Sequence, residues 1–129
     1  MTVLGRIHHV GVACRDIHEM RAWVWATHVV TSDSGVVHDP LQRADLSLLG
    51  VESGSAIELV AGEMVQGVLK RGHSYYHLCY EVDSVARSIE LLSEQGCRVV
   101  SPATPAVLFA GRSVAFLLGP MGLMELLEA

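Results

Sequence analysis

The sequence predicts an α+β fold built from two βαβββ modules, about residues 5–62 and about residues 73–129 of a single domain. Three observations carry this. The order of apolar patterns (an alternating run, a helical stripe, three further alternating runs) occurs once from Arg6 and restarts at Ser74. Two histidines and two glutamates recur at matched intervals. Each glutamate sits alone in an apolar run that follows a glycine-containing turn.

Taken in order, Arg6 to Ala13 alternates as a strand should. Ile7, His9, Gly11 and Ala13 share one side, and His8, Val10 and Val12 the other. Asp16 is placed to cap a helix in which Ile17, Met20 and Val24 form the apolar stripe, ending near His28. Val29 to Val37 reads as a weak strand interrupted by polar residues, and Asp39-Pro40 as a turn. Ala44 to Leu49 and Ser55 to Ala61 are strands flanking the Gly50 to Gly54 turn, and one helical turn is expected around Val65 to Leu69. In the second half, Ser74 to Val82 is a strand, and Asp83 or Ser84 caps a helix with Val85, Ile89 and Leu92 on one face. Gly96 closes that helix. Cys97 to Val100 is a strand and Pro102 to Pro105 a loop. Ser113 to Leu118 and Leu123 to Leu127 complete the set, after an Ala110-Gly111 turn.

The repeat survives counting, the proper test of internal duplication. His9 and His77 are 68 positions apart, and Glu58 and Glu125 are 67 apart. The His-to-Glu interval is 49 in the first half and 48 in the second. Ala56-Ile57-Glu58-Leu59-Val60 parallels Leu123-Met124-Glu125-Leu126-Leu127.

Composition narrows the function. Half the residues are apolar and 18% are charged, so the chain is not a disordered one. Mean hydropathy is +0.37, yet no apolar run reaches the length of a membrane span. A buried interface in a homodimer is the expectation instead. Net charge is −5, with one lysine and scattered arginines, which argues against a nucleic-acid partner. The first residues lack the blocks of a signal peptide, and Cys14, Cys79 and Cys97 have no metal-knuckle spacing. The expected home is the cytoplasm, with the thiols reduced.

A carboxylate in the middle of an apolar strand is costly unless a cation or proton meets it. Glu58 and Glu125 share this problem. If duplicated halves bring equivalent residues together, two carboxylates and two imidazoles from His9 and His77 make a four-ligand set for one divalent metal. Mixed nitrogen and oxygen ligation suits Zn²⁺, Co²⁺, Ni²⁺, Mn²⁺ or Fe²⁺ without choosing among them. Singly, each residue has a plainer reading: Glu58 on an edge facing solvent, His9 as a satisfied core histidine, or His8 as the inward one of the pair. The matched set outweighs these.

These segments resemble the vicinal oxygen chelate superfamily of glyoxalases, extradiol dioxygenases, epimerases and bleomycin resistance proteins. Ile7-His8-His9-Val10-Gly11-Val12-Ala13 is similar to its opening strand, with the ligand second in the His pair. Ile57-Glu58-Leu59, Tyr76-His77-Leu78-Cys79-Tyr80-Glu81-Val82-Asp83 and Gly122-Leu123-Met124-Glu125-Leu126 resemble its other ligand segments. Arg112-Ser113-Val114-Ala115-Phe116-Leu117 points to the methylmalonyl-CoA epimerase-like branch. The resemblance implies a cupped, partly closed mixed sheet with the helices on its outer face, one metal, a small-molecule substrate, and often a dimer. It further implies an isomerase, epimerase or lyase that moves a proton at a carbon next to a carbonyl or thioester through a metal-stabilised enolate. Glu125 is the first choice of base and Glu58 the second. Two departures stand out. Leu41 occupies the place of a family Glu that acts on the opposite substrate face, with His38 or Asp39 the only nearby substitutes. Ala13 and Gly62 replace the residues that glutathione-using members carry. The alternatives are a metal-free or metal-assisted small-molecule binding or resistance protein and a metal-dependent dioxygenase, which would leave the Glu58 position empty.

Overall fold

The computed structural model describes residues 3–52 and 54–129. The chain forms two compact units: residues 9–76, and residues 77–129 together with the segment up to His8.

β1 (Ile7–Ala13), which enters the first unit at His9, leads to α1 (Ile17–Thr27), then β2 (Val30–Asp33), β3 (Val37–Asp39), β4 (Ala44–Val51) and β5 (Ala56–Gly62). A 3₁₀ turn (Glu63–Val65) and α2 (Gln66–Lys70) follow. The sheet order is β2-β4-β5-β1, with β3 also on β4. The β1–β5 pair is parallel and the others antiparallel. Asp16 caps α1 as expected, its carboxylate accepting from His18 N and Glu19 N. The buried stripe of α1, Ile17 and Val24, packs on Val12, Leu49 and Leu59.

The second unit repeats the plan with β6 (Tyr75–Val82), α3 (Val85–Glu94), β7 (Arg98–Pro105), β8 (Ser113–Gly119) and β9 (Gly122–Glu128). Its order, β6-β9-β8-β7, matches β1-β5-β4-β2 of the first, and β6–β9 is again parallel. Ser84 caps α3, and Glu128 Oε1 accepts from Val85 N at 2.9 Å. The α3 stripe, Val85 and Leu92 with Ile89, packs on Val82, Ala115, Leu117, Met124 and Leu126. Gly96 at φ 89° ends the helix in the left-handed region, where a residue without Cβ is unstrained. No helix among the described residues is long and apolar enough to cross a membrane.

Three expectations are corrected. The single strand Val29 to Val37 is two strands, broken at Ser34 to Val36; Gly35 (φ 73°) turns the chain and Asp33 Oδ1 accepts its N–H. The loop expected at Pro102 to Pro105 belongs to β7. Both prolines are tolerated because β7 is an edge strand whose ladder to β8 shifts register twice. Trp23 and Trp25, too close in sequence to form a helical stripe, are expected to cover the sheet; they are instead 59% and 51% exposed.

Candidate active site

The strand ladders place the four singled-out residues in equivalent positions. In β1 and β5, Gly11 is the register partner of Glu58, and His9 lies two residues earlier on the same side of β1. In β6 and β9, Cys79 is the partner of Glu125, and His77 lies two residues earlier. Side chains alternate across a sheet, so each His and Glu share the face opposite their helix. On the helix face stand Val12 and Leu59 in one unit, and Val82 and Leu126 in the other.

Within the first unit, His9 Nε2 lies 3.5 Å from Glu58 Oε1; within the second, His77 Nε2 lies 3.1 Å from Glu125 Oε1. All four side chains are at most 6% exposed. His9 is thus the inward member of its pair, and His8 is half-buried with its ring edge-on to Phe109. A buried carboxylate loses its hydration and is tolerated only with a compensating charge or proton. An imidazole nitrogen at this distance offers either a hydrogen bond or a second ligand to a shared cation. Two ligands about 2.1 Å from one ion, at about 90–110° to each other, stand about 3.0–3.4 Å apart. The observed 3.1 and 3.5 Å lie within a few tenths of that spacing. Each pair is therefore a donor set that fits half of a nitrogen–oxygen metal site.

The rows beside the two glutamates differ. Leu48 of β4 partners Glu58, and Phe116 of β8 partners Glu125. The Phe116 ring meets the His77 ring edge-on, centroids 5.3 Å apart and planes at 87°. This contact orients the imidazole, and sequence reading missed it. The signal was available: Phe116 precedes Glu125 by nine positions across a two-residue hairpin turn, which sets the register.

His38 and Asp39 do not offer a free acid/base on the Glu58 face. The β4 alternation puts Leu46 and Leu48 on that face and Asp45 on the α1 face; His38 is Asp45's partner and meets its Oδ1 at 2.9 Å. Asp39 is on the Glu58 side and buried, but its Oδ1 accepts from Leu41 N and Gln42 N, closing the turn. Leu41 itself is 70% exposed. A cleft of about 780 Å³ opens in the first unit on the α1 side, lined by Val12, Cys14, Met20, Trp23, Leu59 and Tyr75 among others, away from the Glu58 face.

Comparison with known proteins agrees with this architecture. Residues 8–116 match the model of the glyoxalase/bleomycin resistance protein/dioxygenase superfamily. The chain is 26% identical over 121 residues to an ethylmalonyl-CoA/methylmalonyl-CoA epimerase of Cereibacter sphaeroides, covering 89% of each protein. Among solved structures it is similar to methylmalonyl-CoA epimerase of Mycobacterium tuberculosis, with a TM-score of 0.79 and 22% identity, over 99% of this chain and 90% of that one. It is also similar to the Streptomyces coelicolor methylmalonyl-CoA epimerase, seen in complex with 2-nitronate-propionyl-CoA, with a TM-score of 0.73 and 22% identity over 98% of both chains. With the match spanning most of its length, the chain belongs to the glyoxalase/bleomycin resistance protein/dioxygenase superfamily and is similar, within it, to the methylmalonyl-CoA epimerases.

Proposed function

We propose that His9, Glu58, His77 and Glu125 together hold one divalent cation, and that the protein is a metal-dependent isomerase, epimerase or lyase. It acts by proton transfer at a carbon next to a carbonyl or thioester. The observation that carries this is the repetition of one buried imidazole–carboxylate pair at the same ladder position in both units. A lone buried pair is a common structural device. Two of them, set by duplicated strands, are what a four-ligand site requires. The named relatives act on acyl-CoA thioesters, which favours a thioester substrate here.

When bound, the cation supplies the positive charge that acidifies the C–H next to the carbonyl. Glu125 is the first choice to carry the proton, with Glu58 second; both are held in strands by register partners on each side, so their carboxylates are oriented before substrate arrives. Phe116 holds the His77 ring in place, and the apolar surroundings (Val60, Val114, Leu127) keep water from competing for the carboxylates. With Leu41 exposed and His38 and Asp39 engaged elsewhere, we assign the proton to the metal-side carboxylates. The mean hydropathy and the exposed Val99, Val100 and Leu118 of the β7–β8 side support a homodimer, and the proposed home remains the cytoplasm.

The test is metal content with solvent deuterium uptake. Gently purified protein should carry one divalent ion per chain and catalyse α-proton exchange in a panel of 2-methyl and malonyl-type thioesters. Metal without exchange on any C–H acid would leave a dioxygenase; no metal at all would leave a binding protein.

A further inference from the structure

We propose that Arg112 is an anion-recognition residue that receives a carboxylate or phosphate group of the substrate. This rests on the reading above only in placing substrate on the His77–Glu125 face. Among the described residues, the arginines divide cleanly. Arg6, Arg21, Arg43 and Arg87 each pair with a carboxylate, of Glu81, Asp33, Glu63 and Glu90 respectively. Arg15, Arg71 and Arg98 have no such partner and are exposed, so water solvates them. Arg112 is half-buried and has no carboxylate partner. Its guanidinium sits over the Phe109 ring, 5.9 Å from the centroid, and donates to the Glu128 carbonyl at a long 3.4 Å. A guanidinium has five N–H donors in a fixed fork, and a partly desolvated one without a counter-charge favours a bidentate oxyanion.

The residue is also held in place. Arg112 N donates to Phe109 O, Arg112 O accepts from Ala106 N, and Gly111 N donates to Ala106 O, closing a turn through Ala110 and Gly111, both at positive φ. Buried Phe109 anchors that turn. Arg112 lies just before β8, whose Val114 and Phe116 share the Glu125 face. Four residues at about 3.3 Å each set it about 13 Å along the strand from the Glu125 row, before the side chain reaches out. In a chain of net charge −5, an anionic ligand needs such a local cation.

The test follows the Arg112 Nε–Hε resonance of ¹⁵N-labelled protein during titration with malonate and, separately, with inorganic phosphate. A saturable shift at Arg112, absent at Arg15 and Arg98, is expected, with affinity at least about tenfold weaker in Arg112→Met and partly kept in Arg112→Lys. Stronger binding of malonate assigns the partner as a substrate carboxylate; stronger binding of phosphate assigns a phosphate-bearing carrier. Either outcome supports the proposal. No saturable shift with either anion, or equal shifts at the exposed arginines, overturns it. Arg112→Met keeps the packing on Phe109, so loss of binding with an unchanged melting temperature is not a folding effect. In turnover, the same variant should raise KM for an anionic thioester with kcat nearly unchanged. If the wild type turns over nothing, the proposed reaction fails while the titration still reports on Arg112.

Discussion

The Arg21 guanidinium grips both oxygens of Asp33, at 2.7 and 2.8 Å, and so ties α1 to the edge strand β2. Ser47 Oγ of β4 accepts from the same guanidinium at 2.5 Å, and Trp25 Nε1 donates to Asp33 at 3.1 Å. Trp25 is therefore exposed for a reason: its indole N–H serves the clamp while its ring stays outside the core. Arg21 holds the Asp33 carboxyl well below the usual carboxylate range.

The first prediction follows from that direction. A carboxyl whose pKa is depressed by folding stabilises the fold above its unfolded value, near pH 4, and loses that contribution as pH falls below it. Asp33→Asn should cost about 1 kcal/mol at pH 7, the scale of a partly exposed bidentate pair, and progressively less under acid conditions. Urea melts of both proteins at pH 7 and pH 3 check this. A difference that does not shrink on acidification would mean the clamp acts through packing alone.

Metal removal makes the second. With the cation at about 100 times its Kd, occupancy adds about 2.7 kcal/mol to stability. Chelation should lower the melting temperature by several degrees, and re-addition should restore it. His77→Ala and Glu125→Ala should each abolish stoichiometric metal while circular dichroism stays native. Full metal retained in both variants would remove His77 and Glu125 from the site.

Much of this was legible in the sequence because it depends on period and spacing. The two-residue alternation of Ile7 to Ala13 put His9 on the same face as Glu58, and the matched intervals set Glu58 and Glu125 in equivalent rows. The caps at Asp16 and Ser84 and the stop at Gly96 were readable for the same reason: each is a local hydrogen bond or a local φ. What failed was tertiary. Pro102 and Pro105 read as a loop because a strand's neighbours cannot be seen in its sequence, and an edge position excuses both. Arg112 follows a glycine turn, where sequence alone predicts a solvated hairpin residue; instead Phe109, three positions earlier, folds back beneath it through a left-handed turn at Ala110, a residue type that does not signal one.

The third prediction tests the duplication energetically. Leu59 and Leu126 follow the two glutamates directly, point to the helix face, and are fully buried in their respective clusters. Truncation to Ala leaves a cavity under α1 or α3 and should cost about 2–5 kcal/mol in each case. Equal losses would show that each unit's core is equally committed to the folded state. Denaturant melts followed by Trp fluorescence, whose reporters lie only in α1, and by circular dichroism should coincide. Separate transitions would show the units unfolding independently.

The fourth concerns the thiols. Cys14 is 2% exposed, its Sγ donates to Val60 O at 3.5 Å, and burial pushes its pKa up from 9.0 to about 11. The thiolate is the reactive species, so at pH 8 only about 0.1% of Cys14 is competent for attack even before access is counted. Cys79 is fully buried, whereas Cys97 is partly accessible. Titration of the native protein with a thiol reagent at pH 8 should therefore show one fast site, lost in Cys97→Ser, and two that react only on unfolding. The raised pKa also has a sign for stability. Folding favours the protonated thiol, so the contribution of Cys14 is complete below about pH 9 and falls as pH rises toward 11. Cys14→Ala should flatten that alkaline decline. A fast reaction at Cys14 in the folded protein would mean that the segment joining β1 to α1 opens far more readily than its packing against Leu59 allows.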